Sequence, residues 1–140
     1  MGKIDKEYIE NRVKDWKERL AELYKNVEQA LSDHREIAYK KDRMTTMNEE
    51  LMQKFDVHPE QIPLLDIYKN DVLIATFKPI GLWVIGANGR VDILTKKGSY
   101  IVVDTSDKGA APSWKVYTPE NRKQGIELDK NFLEKIINEV

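Results

Sequence analysis

Two histidines, His34 and His58, and no cysteine are what this chain offers to nucleophilic or metal chemistry. Without a thiol there is no disulfide framework, no Cys-based zinc site and no cysteine nucleophile. Two histidines fall short of an all-protein His metal cluster, so neither a metal site nor a cofactor is expected. No Gly-x-x-x-x-Gly-Lys-Ser/Thr, His-Glu-x-x-His or Gly-x-Ser-x-Gly pattern occurs. Glycines at 81, 86 and 89 do not have the spacing of a dinucleotide fingerprint and read as a bend and a hairpin. His34 reads as a packed or capping residue and His58, before Pro59, as a turn residue, which leaves a Ser-His-Asp site little to build on. The sequence therefore leans away from catalysis.

Four other residues could carry recognition. Asp92 falls in mid-strand between apolar neighbours, where an ionised carboxylate must find a partner or be neutralised. It could anchor a ligand cation or hydroxyl, with Arg90 or Lys96 beside it, or simply pair with a neighbouring cation on a solvated sheet. Trp83 and Trp114 could form an aromatic platform for a base or a peptide proline, although aromatic residues in a strand meander usually belong to the core.

The elements that must position these residues follow from periodicity. In the first half Ile9, Val13, Trp16, Leu20, Leu23, Val27 and Ala30 recur at alternating steps of four and three, a coiled-coil-like seam on a helix from about Asp5 to Leu31. A second helix is expected from about Asp33 to Phe55, with capping-box spacing at Asp33–Glu36 and Thr46–Glu49; one long helix to about Arg43 is the alternative. Pro59 then suggests a short helical turn, ended by Pro63.

All but one glycine and every proline lie beyond residue 58, among short β-branched and aromatic runs. Strands are expected at Leu64–Lys69 and Val72–Lys78 around a turn at Asn70-Asp71, with Pro79 and Gly81 breaking the run. Asn88-Gly89 and Lys97-Gly98 predict two two-residue hairpins. That register places Val84, Ile93 and Val102 with Leu82, Thr95 and Tyr100 on one face, and Trp83, Leu94 and Ile101 with Ile85, Asp92 and Val103 on the other. Both faces are apolar, so the sheet should be covered on both sides or curled. Trp114–Thr118 reads as a last strand, PENRKQGIELD as an exposed polar stretch, and Asp129 as the cap of a helix burying Phe132, Leu133, Ile136 and Ile137.

The expected fold is thus α+β in a single domain spanning 1–140: a helical part at 1–58, a curved antiparallel meander of about six strands at 59–128, and a C-terminal helix at 129–140 on the sheet's other face or across an open end.

With 23 basic and 24 acidic side chains among 140 residues, and both signs shared evenly between the halves, no single-signed surface faces DNA, RNA or an anionic membrane. No apolar run reaches membrane-spanning length and no signal-peptide core is visible, so a cytoplasmic protein is expected. The apolar excess favours a protein–protein interaction module of regulatory, adaptor, inhibitor or immunity type, acting on another protein or on a second copy. Its interaction surface would be the seam at Val13, Trp16, Leu20, Leu23 and Val27. Arg12 and Lys17 beside that seam oppose a parallel homodimer and leave an antiparallel one open. A pocket holding Asp92, Arg90, Trp83 and Trp114 is the alternative, as a small-molecule binder or small enzyme. Single-stranded nucleic-acid binding on the sheet stands third.

Overall fold

The computed structural model describes residues 4–84, 86–107 and 109–139. The first helix, α1 (Lys6–Ala30), starts where Asp5 accepts a hydrogen bond from the Tyr8 amide at 2.9 Å, satisfying one of the helix's free N–H groups. Its seam points inward: Ile9, Val13, Trp16, Leu20, Leu23 and Val27 are buried, each stabilising the fold by about 1.5–3 kcal/mol relative to exposure.

No second long helix follows. The chain turns at 31–36 and enters β1 (Ile37–Lys40), β2 (Met44–Met47), a five-residue helix α2 (Glu50–Lys54) and β3 (Glu60–Pro63). Residues 37–40 alternate in burial, with Ile37 and Tyr39 more exposed than a strict core stripe but packed against it, which is strand periodicity rather than helical. Both capping-box pairs are used otherwise. Glu36 bonds to His34 and Asp33 to Lys130, while Thr46 accepts from Gln61 and Glu49 accepts from the Leu82 and Trp83 amides. The turn expected at Pro59 is extended too, because Glu60–Pro63 pairs with Met44–Met47 in a separate two-stranded ribbon.

The main sheet has seven strands rather than six, all neighbours antiparallel: β1, then β4 (Leu65–Lys69), β5 (Val72–Gly81), β6 (Arg90–Thr95), β7 (Gly98–Asp104), β8 (Trp114–Thr118) and β9 (Asn121–Glu127). The turn at Asn70-Asp71 forms as expected, both residues having positive φ (48° and 65°), as a type I′ turn requires. Pro79 does not end β5; the strand passes through a bulge at Ile80 and reaches Gly81. The polar stretch after Pro119 supplies β9, an edge strand interrupted by a bulge opposite Tyr117.

Asn88-Gly89 is not a hairpin turn. Between β5 and β6 Val84 bridges Ala87, and Asn88 and Gly89 bond to the Asp104 backbone, so Val84 has no place in the row with Ile93. Gly89, at φ +123°, lies against the Trp16 ring, where a Cβ would sit 2.2 Å from the indole. The glycine serves close packing. The next hairpin does form, but turns on Lys96-Lys97 with Gly98 pairing Thr95, two residues out of the expected register. An even slip preserves the faces. Ile93, Tyr100 and Val102 share the buried side, while Leu94, Ile101, Asp92 and Val103 share the other; Ile85 lies outside the described residues.

The first and last helices cover the same face. The last helix, α3 (Lys130–Glu139), buries Phe132, Leu133, Ile136 and Ile137, and Phe132 meets Tyr100 edge-on at 5.4 Å. Its N-terminus is capped by Asp129, which accepts from the Phe132 amide at 2.9 Å. The core lies between these helices and the rows Phe77–Ile93–Tyr100 and Val91–Val102–Val116. The outer face leaves Leu73 and Leu94 exposed. At its β4–β5 end Arg43 lies over Asp66, donating to both carboxylate oxygens at 2.8 and 2.6 Å, and Thr76 donates a third bond at 2.7 Å. No helix among the described residues is long and apolar enough to cross a membrane.

Candidate functional site

The four candidate recognition residues do not meet in one pocket. Arg90 and Asp92, two apart on β6, project from the outer face and bind each other through two contacts, Nε to Oδ1 at 2.9 Å and Nη2 to Oδ2 at 3.1 Å. The mid-strand acid is therefore answered by its own strand. Trp114 lies 6.2 Å from Trp16, ring to ring, against the helix-covered core. Trp83 sits in the β5–β6 loop beside Glu49, Glu50, Leu51 and Lys54 of the α2 region. The outer sheet face thus lacks the aromatic platform that the pair was expected to make.

The seam residues proposed as an interaction surface are likewise enclosed. Val13, Trp16, Leu20, Leu23 and Val27 are at most 4% exposed, packed in the core with the chain's own sheet, whose apolar inner face is the partner a 25-residue amphipathic helix needs. What remains open is the flank of α1. Between α1 and the segment leading into β3 runs a groove of about 530 Å³, lined by Val13, Ala21 and Val57 with charged or polar residues along its rim. It continues past Lys17 and Ala21 into an apolar hollow of about 280 Å³ over Leu20, Tyr24, Ile62 and Pro63. Lys17 bonds Glu60 across the groove at 3.1 Å, marking the junction of the two hollows.

The far wall of the groove is fixed from beneath. Tyr24 donates its hydroxyl to the Pro63 carbonyl at 2.7 Å, and burial, with Asp66 nearby, pushes that phenol well above its ordinary range. From Glu10 to Tyr24 the helix rises about 21 Å at 1.5 Å per residue, so the two hollows together offer an elongated floor rather than a closed pocket. The rim mixes signs: Glu10, Glu18 and Glu60 with Lys14, Lys17 and Lys41.

Two polar centres escaped the sequence reading. Arg19 is buried and donates to Asp15 at 2.8 Å, to Asp104 at 2.8 Å and to the Ala110 carbonyl. Asp104 is fully buried at the end of β7; its other oxygen accepts from the Ser106 and Ser113 amides, both at 3.0 Å. One arginine and one aspartate thereby organise the loop between β7 and β8. The second centre is Glu49, whose two oxygens take the amides of Leu82 and Trp83 at 2.9 to 3.2 Å and fix the β5–β6 loop.

One trio of potential metal donors converges among the described residues. Asp33, His34 and Glu134 each place one ligand atom within 4.8 Å of the others, Asp33 exposed and the other two half-buried. Lys130 already holds Asp33 at 3.3 Å and His34 already bonds Glu134, so hydrogen bonding accounts for the arrangement.

No family model, no curated protein and no solved structure matches this chain.

Proposed function

We propose that the chain works by binding another protein, a segment of which lies along the groove between α1 and β3. The observation that carries this reading is the pair of adjoining hollows on the flank of α1, where Ala21, Val57 and Pro63 stand open above the buried Leu20 and Ile62. An apolar strip rimmed by charge is the usual composition of a protein-binding surface. About 21 Å holds about six residues of extended chain at 3.4 Å each. The segment that fits presents apolar side chains to the two hollows and charges of both signs to the mixed rim, crossing the Lys17–Glu60 pair at the junction. Such a chain belongs with regulatory, adaptor or inhibitor modules, and its cysteine-free, evenly charged composition supports a cytoplasmic setting.

The test uses Ala21, which is exposed and can be replaced without touching the core. A photoreactive benzophenone side chain at position 21 should cross-link to one partner, and the purified pair should bind saturably. Ala21→Arg should weaken that binding at least tenfold while Leu94→Arg, on the outer sheet face, leaves it unchanged. The reverse pattern, cross-links only to a second copy of this chain, or steeply salt-dependent capture of nucleic acid would overturn the proposal.

A further inference from the structure

We infer that the corner of Asp33, His34 and Glu36 is a proton-operated clasp on α3. Both ring nitrogens of His34 face carboxylates: Nε2 lies 2.8 Å from Glu134 on α3, and Nδ1 lies 3.2 Å from Glu36. A neutral imidazole has one N–H and one lone pair, so it can donate to one carboxylate and must turn its lone pair toward the other. Only the imidazolium satisfies both, and the arrangement is complete in the protonated state alone.

The groups around the ring reinforce this. The corner contributes Asp33, 3.7 Å from Nε2, and Glu36; α3 contributes Glu134 and Lys130; β4 contributes Lys69, which also donates to the Ile137 carbonyl at 2.8 Å. The Glu134 hydrogen bond first, then the bond to Glu36 and the neighbouring Asp33 charge, hold the His34 pKa above its ordinary range despite partial burial.

A ten-residue helix does not persist by itself, so α3 exists because it is docked. Besides its four apolar side chains it has, among the described residues, three polar ties to the body: Lys130 to Asp33, Glu134 to His34, and the Ile137 carbonyl to Lys69. Of these, the histidine tie alone changes charge between about pH 5 and 8. Because its folded pKa is raised, the tie contributes fully below the ordinary histidine value of about 6.5 and is lost as pH rises through the folded value. Acid fastens α3. Neutralisation loosens it and bares Tyr100 and the apolar stripe of α3 more often.

Amide hydrogen exchange across α3, measured on the full chain with chelator present from pH 5.5 to 8.5 beside a titration of the His34 ring, tests the clasp. Protection of α3 relative to α1 should fall as pH rises from the ordinary histidine value of about 6.5 up to the His34 pKa. The drop should be about tenfold at most for each unit by which that pKa exceeds its detached value. Glu134→Gln, a surface change that leaves the fold intact, should lower the His34 pKa and flatten the response. An unchanged response in His34→Gln or Glu134→Gln, or a ring that titrates at its ordinary value, would overturn the inference.

Discussion

Removing Asp104 should cost this protein more than any surface change, and the structure supplies the magnitude. The carboxylate is fully buried and receives three donors: the Arg19 guanidinium at 2.8 Å and the Ser106 and Ser113 amides at 3.0 Å. Asp104→Ala leaves a guanidinium only 9% exposed beside an empty site, with Asp15 as its remaining carboxylate among the described residues. Breaking one side of a buried pair costs about 3–5 kcal/mol, and each stranded amide adds to that unless the loop opens to water. We expect a loss of about 4 kcal/mol. A domain of this size holds on the order of 7–20 kcal/mol, so the variant should still fold and remain measurable.

Urea unfolding followed by tryptophan fluorescence is the natural assay, because Trp16 and Trp114 are in contact beside this centre. The denaturation midpoint should fall with little change in slope. Arg19→Met should cost a similar amount, and the double variant should lose less than the sum, with a coupling of about 1–3 kcal/mol. A loss below about 1 kcal/mol for Asp104→Ala, or strict additivity, would refute the argument that this pair holds the β7–β8 loop.

Two further outcomes follow from the same packing. Gly89→Ala should destabilise by about 2–5 kcal/mol, adding backbone strain at φ +123° to a clash with the Trp16 ring; a neutral result in urea would mean that the β5–β6 loop shifts freely. The Arg43 hydrogen bonds, with that of Thr76, hold the Asp66 carboxyl below the usual carboxylate range despite its burial. Its contribution is therefore present above about pH 4 and lost as pH falls through the depressed folded value, so the gap in urea midpoint between the natural chain and Asp66→Asn should be wide at pH 7 and narrow toward pH 3. A gap that stays constant across that range would contradict the assignment.

The parts of the fold that were legible in the sequence are those with a long uninterrupted period. Seven seam residues at steps of four and three left α1 no other reading, and Asp129 ahead of four apolar residues at helical spacing did the same for α3. The faces of β6 and β7 were legible despite a misplaced turn, because the slip was even. Residues 33–55 misled because their Met, Glu, Lys and Leu favour helix by propensity, whereas pairing of Ile37 and Tyr39 with β4 decides the outcome. The dipeptide Asn88-Gly89 misled for a different reason. Glycine there answers a ring on α1, a requirement written 73 positions away from its cause. Arg19 and Asp104 are separated by 85 residues and neither carries a local signature, while the groove is built from the exposed flank of one helix and an aperiodic segment. Periodicity says which side of an element is hidden and nothing about what two visible sides enclose.

The distance between Arg19 and Asp104 along the chain also sets a clock. A ribosome working at about 5–20 residues per second needs roughly 4–17 s to add the 85 residues that separate them. Trp114, the strands β8 and β9 and the helix α3 emerge only after Asp104. Through that interval the nascent α1 displays an apolar stripe seven side chains long, with its eventual cover still incomplete. Molecular chaperones that grip exposed aliphatic and aromatic helices should meet this protein at every round of its synthesis.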